Sequence, residues 1–412
     1  MPTSPRWALL ILPAGVDAAV APLLASRALR AFADGYIAVL LPAWLLTLGL
    51  GTLEVGLLST ATLAGSALAT LAVGAIGHRW APRRLLLCAA LLMAATGLGF
   101  AGLASFWPLL LVALVGTLNP SSGDVSVFLP LEHALLANAA SGHARTALFA
   151  RYALVGTLCA AFGALAAAVP AWLVARAGWS MHDALRAMFL LYAAVGGVVA
   201  LLYRGLPAAP VHAAARPAPL GPSRAIVLRL AALFSVDAFA GGLVVNALLS
   251  LWLFQRFGLG LAQAGAYFFW SGLLAAGSQL AAPLLARRIG LINTMVFTHI
   301  PANLCLIGAA LVSDLHWALA LLFVRSALSQ MDVPARSAFV MAVVTPAERA
   351  AAASFTAVPR SLASAASPTL TAALLATGWL AAPLVACGVL KIGYDLALLF
   401  TFRRVELPED RG

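Results

Sequence analysis

Residues 74–87 read GAIGHRWAPRRLLL, and residues 283–297 read PLLARRIGLINTMVF. Each stretch is a short basic turn between two long apolar runs. An α-helix needs about 20 apolar residues to cross a bilayer, and short basic turns join such helices on the cytoplasmic side. Because the two turns occupy matching places in the two halves of the chain, they predict a helical membrane protein built from two similar bundles.

The composition agrees with a membrane protein. Of 412 residues, 63% are hydrophobic and 9% are charged, whereas a soluble domain is about half apolar and about a quarter charged. The strands of a transmembrane β-barrel would alternate apolar and polar residues, but the runs here are continuously apolar. We therefore predict an all-α membrane protein.

Apolar length and flanking residues predict about twelve transmembrane helices. Their approximate limits are 24–48, 54–76, 84–104, 107–130, 146–172, 184–203, 226–254, 262–286, 291–312, 316–343, 350–376 and 379–402. The predicted division is an N-terminal six-helix bundle over 1–203, a linker over 204–224 and a C-terminal six-helix bundle over 225–412. The linker is rich in Pro and Ala. Residues 7–23 form either an interfacial lead-in or an extra membrane-embedded segment.

The net charge of +11 comes from arginines in the short loops, which is the pattern of a membrane protein rather than of a nucleic-acid-binding face. The loops on the N-terminal side carry Arg6, Arg79, Arg83, Arg84, Arg145, Arg204, Arg216, Arg224, Arg287, Arg288, Arg336, Arg349, Arg403, Arg404 and Arg411. The loops on the other side carry Arg176, Arg186 and Arg256. This bias predicts that both termini and the linker are cytoplasmic.

The turn at 74–87 resembles the motif Gly-x-Leu-Ala-Asp-Arg-x-Gly-Arg-Lys of the major facilitator superfamily. The matching residues are Gly74, Ile76, Gly77, Arg79, Arg83 and Arg84; the departures are His78 at the aspartate, Ala81 at the second glycine and Pro82 at an arginine. The second turn keeps Leu285, Ala286, Arg288 and Gly290, with Arg287 at the aspartate. MDVPARSAF (331–339) also resembles a bacterial subgroup of this superfamily. The resemblance implies the twelve-helix fold of that family, a transport function and a bacterial inner membrane.

Charged residues repeat near the ends of the fourth and tenth predicted spans, where GDV (123–125) matches MDV (331–333). Asp124 and Asp332 are predicted to lie near the cytoplasmic mouth. They form either a gate that pairs with arginines in one state only, or static ion pairs. The candidate partners are Arg145, Arg336, Arg349, Arg79, Arg83, Arg287 and Arg288.

An ionisable side chain deep in a bilayer costs about 2.5–3.5 kcal/mol, so it normally faces a partner or a cavity. Asp34, four residues after Arg30 in the first span, is the first candidate for proton coupling, and Asp237 in the seventh span is the second. Each of them has a static ion pair as its alternative. The candidates for a substrate cavity are Arg360, Arg325, Asn119, Asn246, Gln279, Gln330, Tyr267 and Trp270. Tyr267 and Trp270 could instead anchor the chain at the membrane interface.

Lys391 lies in the last span, four residues before Asp395 and therefore on the same helix face. Because this spacing suits a buried pair, we predict a structural ion pair between them.

These features favour a secondary active transporter of a small solute that works by alternating access and is coupled to protons, with export favoured over import as its direction. The partners are then a solute, protons and the lipid bilayer, with no nucleic acid, for a chain expected to be a monomer. A proton symporter or facilitator that imports a metabolite is the first alternative, and a membrane-embedded enzyme or lipid-handling protein is the second. HExxH, P-loop, GxSxG and CxxC patterns do not occur in the sequence, so we predict neither an enzyme nor a cofactor or metal.

Overall fold

The computed structural model describes residues 16, 20–121, 126–140, 142–206, 221–345 and 348–402. Every regular element within those ranges is helical, so the predicted all-α class is confirmed. The chain divides into two compact units. The first unit comprises Met1–Ala214 and Leu259–Phe269, and the second comprises Ala215–Gly258 and Trp270–Gly412.

The first unit contains eight α-helices and two short 3₁₀ turns within the described residues. The helices are α1 (Ala21–Thr47), α2 (Thr52–Ile76), α3 (Pro82–Gly102), α4 (Phe106–Val115), α5 (Phe128–Ala139), α6 (Gly142–Leu165), α7 (Val169–Ala177) and α8 (Met181–Arg204). The most extensive packing joins α3 to α8 and α1 to α6, and α1 also packs on α8. Helix α1 is therefore held on two sides.

The remaining described helices follow in the second half of the chain. They are α9 (Arg224–Gly242), α10 (Asn246–Phe257), α11 (Leu261–Ile289), α12 (Leu291–Leu311), α13 (Leu315–Leu328), α14 (Asp332–Val343), α15 (Arg349–Ala366), α16 (Pro368–Ala376) and α17 (Ala382–Phe402). In the second unit, α9 packs on α15 and α17, and α12 packs on α13, α14 and α17.

The predicted fourth and tenth spans are each broken into two helices. The helix α4 ends at Val115 and α5 begins at Phe128. Pro120 lies between them, where it restricts Asn119 to extended conformations. The helix α13 ends at Leu328 and α14 begins at Asp332. Pro334 falls in the first turn of α14, where a missing backbone N–H is tolerated.

Nine helical runs of the described residues are long and apolar enough to cross a membrane. The fourth, tenth and eleventh predicted spans are not among these runs. The fourth and tenth are each divided into helices that are individually too short to span a bilayer, and the eleventh is divided into α15 of 18 residues and α16 of 9 residues. Nine continuous spans are therefore found in the described part of the chain where about twelve were predicted, because three of the predicted spans are interrupted.

Glycines bring α1 and α6 into close contact. A Cβ atom at Gly35 would lie 2.1 Å from the Ala160 carbonyl oxygen, and one at Gly163 would lie 2.0 Å from the Phe32 carbonyl oxygen. A Cβ atom at Gly156 would lie 2.4 Å from Nε of Arg27. Small residues of this kind let membrane helices approach closely, and here they make room beside α6 for the charged face of α1.

The core of the second unit is apolar where α9, α12, α14 and α17 meet. Phe234, Met295, Phe339, Tyr394 and Leu398 are buried members of one hydrophobic cluster there. Charged side chains placed beside such a core lie in a medium of low dielectric constant, where an uncompensated charge is costly.

Candidate functional site

Four charged side chains of the second unit form one continuous network, which we call the Asp237 network: Asp237, Asp332, Arg336 and Lys391. Lys391 Nζ lies 2.5 Å from Asp237 Oδ1, and Arg336 Nη1 lies 3.2 Å from Asp237 Oδ2. Arg336 also forms an ion pair with Asp332, one turn earlier on α14. All four side chains are buried. Two acids and two bases alternate, so the network is formally neutral.

The prediction that Lys391 pairs with Asp395 is wrong. Lys391 pairs with Asp237 on α9, whereas both oxygens of Asp395 lie 2.9–3.0 Å from Nδ1 of His299 on α12. The four-residue spacing does place Lys391 and Asp395 one turn apart on α17. However, α17 packs between α9 and α12, and each of these helices supplies a separate partner.

The Asp237 network changes the interpretation of Asp237 and Asp332. Asp237 was a candidate for proton coupling, but two cations hold its carboxylate. Asp332 forms an ion pair with Arg336, one of its predicted partners, on the same helix, and its gating role stays a prediction. Asp124, its predicted counterpart, lies outside the described residues.

The first unit contains a second buried network, centred on Glu132, whose side chain is fully buried. Its carboxylate accepts hydrogen bonds from Arg30 on α1 and Tyr152 on α6, and from the Tyr203 hydroxyl on α8 at 2.6 Å. The Arg30 guanidinium also lies 4.0 Å from the centroid of the Phe128 ring. Glu132 therefore joins four helices of the unit, because it lies on α5 itself.

Sequence analysis missed Glu132 because the predicted fourth span ended at residue 130. The structure begins α5 at Phe128, so Glu132 lies one turn into a helix rather than in a loop. The available signal was one acidic residue in the apolar run FLPLEHALL (128–136). His299 lies within the predicted ninth span and was missed because it is a single histidine in an apolar run.

Asp34 lies one turn after Arg30 on α1. Asn119 hydrogen-bonds to its carboxylate, and Arg30 and Arg27 are the cations that act on it. Arg30 donates to Glu132, and Arg27 lies 5.2 Å from the centroid of the Tyr152 ring. Both cations beside Asp34 thus have other contacts. The break after α4 brings Asn119, a predicted cavity residue, to this position.

The predicted gate arginines contact backbone or lie exposed. Arg83 donates to the Arg204 carbonyl at 2.6 Å, Arg145 to the Ala140 carbonyl at 3.1 Å and Arg349 to the Met341 carbonyl at 3.2 Å. The other three are exposed: Arg79, Arg287 and Arg288. These contacts fix the ends of helices, and a gating role for these arginines stays a prediction.

The remaining cavity candidates are distributed over several helices. Asn246, Gln279, Gln330, Arg325 and Arg360 are half-buried. Tyr267 is buried at 2% exposure, while Trp270 is 56% exposed, which suits an interfacial anchor for Trp270 better than a stacking surface. The substrate role of these residues stays a prediction.

The comparisons with known proteins agree with this architecture. The family model described as Major Facilitator Superfamily matches residues 23–331. A solved POT family transporter is similar over 97% of this chain and 100% of its own, with a TM-score of 0.71 and 14% identity. A bacterial homolog of the human lysosomal transporter Spinster is similar over 92% of this chain and 94% of its own, with a TM-score of 0.68 and 16% identity.

A curated relative matches only part of the chain. An uncharacterized membrane protein of Saccharomyces cerevisiae is 28% identical over 131 residues, which are 32% of this chain and 29% of the relative. The chain therefore covers less than a third of the length of this relative.

The pairing of Lys391 can be tested with double-mutant cycles on the free energy of unfolding. We expect Lys391→Ala and Asp237→Asn to show a coupling energy of about 0.5–3 kcal/mol, because the two groups are in direct contact. Lys391→Ala and Asp395→Asn should show a smaller coupling energy, because the two groups share a helix face but form no ion pair. Unfolding of the purified protein in a mild detergent provides the measurement. Stronger coupling to Asp395 than to Asp237 would contradict the structure.

Proposed function

Because this chain belongs to the Major Facilitator Superfamily, a family of membrane transporters, we propose that it is a secondary active transporter of a small solute. In this proposal the solute crosses the membrane by alternating access, and protons drive the movement. The family membership was predicted from the two basic turns and is confirmed. The transport class follows from the family, whereas the coupling, the direction and the site residues are proposals.

Asp34 supports the proposal of proton coupling most directly. Its neighbour Arg30 is bound to Glu132, and Asn119 supplies a neutral hydrogen bond. A proton on Asp34 would therefore leave the Arg30–Glu132 pair intact. Protonation of Asp237 would remove the common partner of two buried cations, Lys391 and Arg336. We therefore propose Asp34 as the coupling carboxylate and Asp237 as a structural group.

Asp34 also lies where a change of charge can alter helix packing. It is on α1, which packs against α6 and α8. Its partner Asn119 belongs to the non-helical segment that follows α4. A proton can shift a conformational equilibrium only if it binds the two states with different affinity. In our proposal this difference arises when the hydrogen bond between Asn119 and Asp34 forms in one state and breaks in the other.

Export is the proposed direction of transport. Import of a metabolite together with a proton is the alternative. The direction of proton movement distinguishes the two mechanisms: a solute entering a liposome releases lumenal protons in antiport and carries protons inward in symport.

We also propose that the protein lies in a bacterial inner membrane with both termini in the cytoplasm, from the distribution of loop arginines. A cysteine at position 213 in the linker should not react with a membrane-impermeant maleimide in intact cells, whereas Arg176→Cys should react. The measurement requires a background in which the four native cysteines are replaced. Ready labelling at position 213 would reverse the orientation.

The coupling role of Asp34 can be tested in liposomes that contain a lumenal pH-sensitive dye. Candidate solutes are added to wild-type protein until one changes the lumenal pH, and that solute then serves for the variants. We expect Asp34→Asn to abolish proton-driven transport while solute exchange without a gradient continues, because only the titrating group is lost. Asp183→Asn, which makes the same change at an exposed site, should resemble wild type. Unchanged proton-driven flux in Asp34→Asn would exclude Asp34 from coupling.

A further inference from the structure

The buried basic side chains among the described residues of the second unit have acidic partners, whereas the half-buried Arg360 does not. Asp237 and Asp332 compensate Lys391 and Arg336. Asp395 is the partner of His299. Arg360 has no such partner: it forms no ion pair with a described carboxylate, and its Nε atom is buried without a hydrogen-bond partner among the described residues.

Arg360 lies beside the Asp237 network rather than within it. It is on α15, immediately after Pro359 and on a helix that packs along α9. Its guanidinium is within electrostatic range of Arg336, Asp237 and Asp332. Since both acids already have cationic partners, and Arg336 repels Arg360, the network does not neutralise the additional positive charge.

A second donor without a partner lies in the same region. Tyr394 is 2% exposed, and its hydroxyl has no hydrogen-bond partner among the described residues. This residue is within electrostatic range of Arg360. Its ring lies 6.4 Å from the Phe234 ring and 6.4 Å from the His299 ring, measured between centroids. One charged and one neutral donor thus remain unsatisfied beside an apolar surface.

Groups of this kind are costly unless a ligand satisfies them. A buried polar group without a hydrogen bond, or a buried charge without a partner, destabilises the protein. A guanidinium presents a planar fork of N–H groups that matches the oxygens of a carboxylate or a phosphate. A tyrosine hydroxyl can donate to the same anion.

We propose that Arg360 and Tyr394 bind the anionic group of the transported solute, which is a carboxylate or a phosphate monoester attached to an apolar body. Phe234 provides the adjacent apolar surface. This inference rests on the proposed transport function and adds the substrate class. Arg325, half-buried on α13, is not required for it.

The first test concerns the protein without ligand. If Arg360 is an uncompensated charge, Arg360→Gln should raise the unfolding temperature of the purified protein by a few degrees. Arg229→Gln, which removes an exposed arginine on α9, should change it little. A structural arginine would give the opposite result, so a lower unfolding temperature in Arg360→Gln would overturn the proposal.

The second test uses benzoate, phenyl phosphate and the neutral benzamide as probes, with protein in a non-ionic detergent and no proton gradient. We expect at least one of the two anions to raise the unfolding temperature, and benzamide not to raise it. Arg360→Gln should weaken binding of that anion by about 10- to 100-fold, and Tyr394→Phe by about 2- to 10-fold. Arg229→Gln should bind it normally.

The remaining outcomes are also decisive. A response to benzamide equal to that of the anions, or no response to either anion, would contradict the proposed site. Stabilisation by added phosphatidylglycerol alone would assign Arg360 to a lipid phosphate and overturn the proposal for a solute. Because binding is measured without a gradient, these results are independent of the coupling role of Asp34.

Discussion

The structure depends on one constraint: a charge buried among apolar helices needs a partner of opposite charge. Both units meet it with ion pairs between matching helices. In the first unit α1 supplies the cation, Arg30, and α5 supplies the acid, Glu132. In the second unit α9 supplies the acid, Asp237, and α14 supplies the cation, Arg336. The two halves of the chain thus pair helices at matching positions, but the helix that supplies the cation in one half supplies the acid in the other.

The constraint also identifies the groups on which function depends. In a closed network, such as Asp237 with Lys391 and Arg336, every charge has a partner of opposite sign. Such a network holds helices together, and the protein loses stability when one member changes its charge. Asp34 lies next to a closed pair and can change its charge without breaking that pair. Arg360 lies next to a closed network with a charge that the network does not neutralise. On this physical argument we propose proton coupling for Asp34 and solute binding for Arg360.

The sequence was sufficient to predict the helical class and the family, because apolar length and the two basic turns are local signals. It was not sufficient to predict ion-pair partners. The spacing of Lys391 and Asp395 indicated a shared helix face, but the neighbouring helices α9 and α12 determine which groups they meet. Glu132 and His299 are single polar residues in apolar runs, and their roles depend on contacts more than 90 residues away in sequence. The breaks in the fourth and tenth spans were indicated by Pro120 and Pro334, but a reading based on apolar length extended across both.

The central claim is that Asp34 exchanges a proton while Asp237 stays ionised within its network. Infrared difference spectroscopy of the purified protein across a pH change measures this directly, because a protonated carboxyl group absorbs apart from a carboxylate. We predict that one of the titrating carboxyl signals of wild type is kept in folded Asp237→Asn protein and lost in Asp34→Asn, while the signals of the exposed carboxyl groups stay in both variants. A signal that persists in Asp34→Asn and disappears in Asp237→Asn would contradict the account.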